Sequence, residues 1–136
     1  MYKTILVPID LTDSEKSKPM IEIARLMGNR DARIILVNVI DYVPAYVASQ
    51  VPREILDKTS ENAGEELKAL ASAAGIKPDI EVRSGAAHNA ILDVAQKLEA
   101  DLIIVGSHKP GLQDYLLGST ASRIVRHAIC SVLVVR

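Results

Sequence analysis

The chain has 136 residues, with 16 Lys and Arg against 17 Asp and Glu and no run of five like charges. It is therefore the size of one domain, residues 1–136, with room for a sizeable core, and it carries neither a basic groove for nucleic acid nor a polybasic membrane anchor. No stretch of eighteen apolar residues occurs, MYKTILVPID is too short and too soon acidic for a secretory signal, and the single Cys130 has no partner within the chain, so a cytoplasmic protein away from membranes is expected.

In chain order, Thr4 to Asp10, TILVPID, reads as a buried strand that emerges at its carboxyl end in a proline and an acid. Thr12, Asp13, Ser14 and Ser17 are candidate caps for a helix with Met20, Ile23, Ala24 and Met27 inward and Gly28 as its stop, Pro19 placing the regular start near Ser17 or marking an irregular first turn. Arg33 to Ile40, RIILVNVI, is a second aliphatic strand. Asp41 to Gln50 shows neither period and is expected to be a loop over a sheet edge. A helix is expected from about Pro52 to Ala74, with Ala63, Leu67, Leu70, Ala71 and Ala74 on one face and Gly75 ending it.

Asp79 to Arg83, DIEVR, alternates apolar and polar residues as a rim strand does. Ser84 and Gly85 lead into a helix with the stripe Ile91, Val94, Ala95 and Leu98, and Leu102 to Val105 is a fourth, fully buried strand. After Gly106 a loop runs to Gly118, where Ser119 or Thr120 caps a helix with Ala121, Ile124, Val125 and Ala128 inward. Cys130 is expected as a small core residue, and Ser131 to Arg136, SVLVVR, is the fifth strand.

Strands alternating with helices predict an α/β fold, a doubly wound five-stranded parallel sheet with helices on both faces, Rossmann-like. The order 3-2-1-4-5 puts the reversal between the first and fourth strands, whose ends carry the acid and the glycine; the pattern also admits 2-1-3-4-5. Ligands of such sheets bind outside the carboxyl ends of the strands at the reversal. Here the last helix begins with unpaired amides and the positive end of its dipole, next to Gly118, Ser119 and Thr120, which suits an anion. Asp10 admits a second reading, that it only offsets the dipole of the helix it precedes. Four Tyr with no Trp or Phe exclude stacking on bases as a main binding mode. No Walker G-x-x-x-x-G-K-[ST] and no acidic pair for two metals is present, and His88, His108 and His127 fall on different elements.

With TILVPID, ILVNVID, IIVGSH, LLGS and SVLVVR, the chain resembles the universal stress protein family from Lys3 to Arg136. Nucleotide-binding members share G-x2-G-x9-G-[ST]. This chain offers Gly106 and Gly118–Ser119, but Lys109 replaces the second glycine and the interval is one residue short. The resemblance implies ATP, with or without Mg2+, across the strand tips. It implies Asp10 on ribose or the adenine edge, Val39 packed on adenine, Pro8 and Val105 framing the pocket, and Gly106, His108, Lys109, Gly118, Ser119 and Thr120 around the phosphates. It further implies a stress-response module that senses an adenine nucleotide, at most a slow ATPase or phosphoryl-transfer protein. A homodimer through the aliphatic strand Val132 to Val135 is expected from its exposed edge and from the family. The alternative is a nucleotide-free regulatory or interaction module of the same fold.

Overall fold

The computed structural model describes residues 1–41, 45–107 and 117–136. Five strands, β1 (Tyr2–Pro8), β2 (Gly28–Asp41), β3 (Asp79–Gly85), β4 (Leu102–Gly106) and β5 (Ser131–Val135), form one sheet in the order β3-β2-β1-β4-β5. Every pairing is parallel. The order 3-2-1-4-5 expected from the sequence is the one found, and 2-1-3-4-5 is excluded. The continuous aliphatic runs explain the arrangement. Ile5, Leu6, Val7, Ile35, Leu36, Val37 and Ile103 have no exposed surface, because the strands they occupy are covered on both faces.

One face is covered by α1 (Ser14–Met27) and α3 (Arg53–Ala74), whose Met20, Ile21, Ala24, Leu67 and Ala71 pack on Ile5, Val7, Leu36, Leu102 and Ile104. The other face is covered by α4 (Ala87–Lys97) and α5 (Ser119–His127) through Ile91, Val94, Ala95, Ala121 and Ile124 against Leu6, Ile35, Val37, Ile103 and Val105. At the amino ends, the Asp101 carboxylate accepts the Lys3 and Thr4 amides at 2.9 Å each, and the Asp101 amide donates to the Thr4 carbonyl at 2.9 Å. These bonds clamp the start of β1 to the chain entering β4. Partial burial opposes the Asp101 charge, but the amides of Lys3, Thr4 and Asp101 itself, with the Lys3 charge, outweigh it and hold the carboxyl below its ordinary pKa.

Several boundaries differ from the expectation. β1 ends at Pro8 rather than Asp10, because Asp10 turns away to cap a 3-10 turn, Leu11–Asp13, that precedes α1. Pro19 sits inside α1 as its sixth residue, beyond the first turn, so its missing amide leaves the Glu15 carbonyl without its i+4 backbone donor. Gly28 does not stop α1 by a left-handed turn; its backbone is extended at φ −78° and leads straight into β2. A Cβ there would lie 2.7 Å from the Ala32 Cβ, so glycine is needed for close approach. Gly75 is the left-handed stop, at φ 71°. Within the segment expected to be a loop, Ala45–Ala48 forms a short helical turn, α2. Val125 faces outward with 46 % exposure, contrary to its expected inward place, and Cys130 is half-buried at the margin of the second core.

Candidate functional site

At the carboxyl ends of the strands, β1 and β4 are neighbours whose chains leave toward opposite faces, β1 into α1 and β4 toward α5. A crevice opens there, with a volume of about 700 Å³. Of the residues expected at the site, Pro8, Asp10, Val39, Val105, Gly106, Gly118, Ser119 and Thr120 all line it. His108 and Lys109 lie outside the described residues.

The floor is built by two strand tips tied together. The Ile9 amide donates to the Val37 carbonyl at 2.7 Å, and Asn38 Nδ2 donates to the Ile9 carbonyl at 2.9 Å. This double tie holds the backbone just before Asp10 after regular pairing has ended. The Asp10 Oδ1 atom accepts the Thr12 amide at 2.9 Å and the Thr12 hydroxyl at 2.6 Å. Asp10 therefore does a local capping job, and its exposed carboxylate keeps its second oxygen clear of those bonds. Asn38 and Ser17 both line the crevice and neither was singled out from the sequence as a site residue. Asn38 interrupts an otherwise aliphatic strand, which was a legible signal. From the sequence Ser17 is a candidate cap and nothing more.

The opposite wall is the entrance to α5. The Ser107 amide donates to the Val135 carbonyl at 3.0 Å and its carbonyl accepts the Gly118 amide at 2.5 Å, so the chain arrives at the helix anchored on both sides. Gly118, not Ser119 or Thr120, is the N-cap. Its backbone is extended, its carbonyl accepts the Ser122 amide at 2.9 Å, and it has no side chain to satisfy a helix amide. The amides of Ser119, Thr120 and Ala121 consequently have no intrahelical acceptor, and the two hydroxyls are not engaged as caps. Gly106 gives room at the end of β4: among the described residues a Cβ there would reach only the Met20 sulfur, at 3.8 Å.

Charge is distributed unevenly along the crevice. Asp10, Asp13 and Asp41 lie at the β1 and β2 side, with Lys16 lining the crevice there too and pairing with Asp13 at 3.9 Å, whereas the α5 side has no acid in the helix's first turn and ends on the positive pole of the helix dipole. Such a crevice is matched by an elongated ligand with hydroxyl or amino donors at one end and negative charge at the other. Among the described residues no group of three His, Cys, Asp or Glu is placed to hold a metal ion. No helix among them is long and apolar enough to cross a membrane.

A parallel sheet wound on both faces, with a helix start and an acid meeting at the strand-order reversal, defines the class of α/β crevice proteins that bind small ligands at a switch point. The universal stress protein family model matches residues 1–136. The chain is 36 % identical over 141 residues to the universal stress protein MJ0531 of Methanocaldococcus jannaschii, covering all of this chain and 83 % of that one. Its fold superimposes on that of the protein solved as hypothetical protein MJ0577 with a TM-score of 0.82, at 28 % identity over 99 % of this chain and 96 % of that one. It also matches a universal stress protein solved in complex with cAMP, with a TM-score of 0.66, 27 % identity and coverage of 99 % and 97 %. This chain belongs to the universal stress protein family.

Proposed function

We propose that this chain binds an adenine nucleotide, ATP with or without Mg2+, in the switch-point crevice and acts as a nucleotide-sensing module of the stress response. The observation that carries the reading is the meeting, in one crevice, of an acidic strand tip and an unpaired helix start. Asp10 accepts from the ribose or the adenine edge, and Val39, Pro8 and Val105 supply the apolar contact to the base. Gly106, Gly118, Ser119 and Thr120 surround the phosphates together with His108 and Lys109. A Mg2+ ion would be held chiefly by the phosphates themselves, since the described residues do not assemble a cage for it. The related protein solved with cAMP supports an adenylate as the ligand class.

The chain acts in the cytoplasm as one domain, and two copies pair through Val132 to Val135. β5 supports this pairing because it is an edge strand with four half-buried aliphatic residues and, among the described residues, only β4 paired beside it. The test is to denature freshly purified protein, identify released nucleotide by mass spectrometry, and titrate ATP, ADP, AMP and cAMP in a thermal-shift assay. Co-purified adenylate, or a rise in melting temperature that saturates with ATP, is the expected result. No released nucleotide together with no shift from any of the four overturns the reading in favour of a nucleotide-free module. Size-exclusion chromatography with light scattering tests the dimer, with twice the chain mass expected.

A further inference from the structure

Ser17 carries an unexplained group. It is 1 % exposed, the fourth residue of α1, and its hydroxyl has no hydrogen-bond partner among the described residues. A serine inside a helix ordinarily resolves this by bonding the carbonyl four residues back, as Thr59 does with Ile55 at 2.9 Å in α3. Ser17 does not. Alanine would fit the same place, favour the helix and leave nothing unsatisfied, so the hydroxyl is a liability to the fold when nothing reaches it.

Its position gives the reason. Ser17 lines the switch-point crevice, and so do Asp13 and Met20, four residues before it and three after it on the same face of α1. Met20 lies against Gly106, so this face of the helix forms the wall beside the tip of β4, where the chain turns toward the start of α5. This is the side of the crevice away from Val39 on β2.

We propose that Ser17 is a ligand-binding residue contributed by the first helix, its hydroxyl donating to an oxygen of the ribose–phosphate portion of the bound nucleotide. The assignment rests on the adenine-nucleotide reading above. The Oγ atom is closed off from solvent in the ligand-free chain, so the bond forms when the side chain rotates about Cα–Cβ to another staggered position facing the crevice, which needs no backbone change. The ligand then satisfies a group that the fold leaves unpaired, so part of the binding energy comes from relieving that defect.

Isothermal titration of ATP, AMP and adenosine into wild type, Ser17→Ala and Ser17→Cys tests it, with melting temperatures of the ligand-free proteins measured alongside. Ser17→Ala is expected to bind ATP and AMP about five- to tenfold more weakly, the size of one lost hydrogen bond. Its ligand-free melting temperature should equal or exceed that of wild type. Ser17→Cys, similar in size but a poor donor, should weaken in the same direction. Equal loss with adenosine assigns the contact to the ribose; loss confined to ATP and AMP assigns it to phosphate. Affinities of Ser17→Ala within twofold of wild type overturn the proposal, as does a lowered ligand-free melting temperature, which would make the hydroxyl a structural group. Wild type that binds none of the three overturns the nucleotide reading itself and this one with it.

Discussion

Replacing Gly118 by valine separates binding from folding. Gly118 is the N-cap of α5 in extended backbone, φ −63° and ψ 159°, a region open to valine. In backbone terms the fold loses the preference for glycine over an aliphatic residue at an N-cap, about 1 kcal/mol. The ligand loses more. A β-branched side chain at 118 stands over the unpaired amides of Ser119, Thr120 and Ala121, the donors to which a phosphate must come close. A nucleotide supplied at roughly 100 times its Kd stabilises a protein by about 2.7 kcal/mol. With 136 residues and about 2.1 cal/mol/K of unfolding entropy per residue, the total is about 0.29 kcal/mol/K, so that stabilisation appears as a rise of about 9 °C. Gly118→Val without ligand should melt about 3–4 °C below wild type and show no ATP-dependent rise. Differential scanning fluorimetry at increasing ATP reads both numbers. A variant that still gains several degrees with ATP would refute the placement of phosphate at the start of α5.

Four further outcomes follow from the geometry. Asn38→Ala removes the tie from Nδ2 to the Ile9 carbonyl; it should lower stability by about 1 kcal/mol in urea titration and weaken ATP binding more than a distant surface change does, because Asp10 follows Ile9 directly. Gly28→Ala pushes a methyl against Ala32 and Ile5; it should cost about 1–3 kcal/mol of stability with ATP affinity unchanged, read by urea denaturation and titration. Asp101 has a folded pKa below its unfolded one, so its contribution is complete above the unfolded value, about 3.9, and is lost as pH falls through the folded value; in urea titrations from pH 6 down to pH 2, Asp101→Ala should therefore be less stable than wild type at neutral pH and converge with it at the acid end. Burial and the nearby Asp101 charge push the Cys130 thiol up, so iodoacetamide at pH 7.5 should modify it more slowly than an exposed cysteine.

The sheet was legible because each of its strands announces itself locally. Leu102 to Val105 and Ile35 to Val37 are aliphatic without interruption, and only a strand covered on both faces uses such a run. The strand order was legible only in part: the acid after β1 and the glycine after β4 favour 3-2-1-4-5, while the pattern of elements equally admits 2-1-3-4-5. The finer geometry was not. Which residue caps α5 depends on how Gly118 is held, and its amide bonds the carbonyl of Ser107, whose own amide bonds Val135, 28 residues later in the chain than Ser107. Gly28 reads as a helix stop in any local window; its actual constraint is the side chain of Ala32, which closes on it only because β2 begins at once. Val125 fits the helical stripe, but α5 is short and meets the sheet through Ala121 and Ile124 alone among its buried residues, leaving Val125 outward.

Asn38 shows why the crevice can be polar at its floor without weakening the core beneath. Val37, the residue before it, is fully buried and still in register with Pro8, whereas Asn38 is half-buried and opposite no residue of β1. One step along β2 the packed interior ends, and an amide that would be an unpaired burden at 37 finds the Ile9 carbonyl at 38. The same step leaves Asp10 exposed while its backbone stays anchored. A site placed one residue deeper would have to desolvate the carboxylate, and one residue farther out would lose the tie to Val37. The position of Asp10 is therefore set by where β1 runs out of pairing partners, and substitutions that lengthen or shorten that pairing should move affinity for ATP even when every crevice-lining side chain is kept.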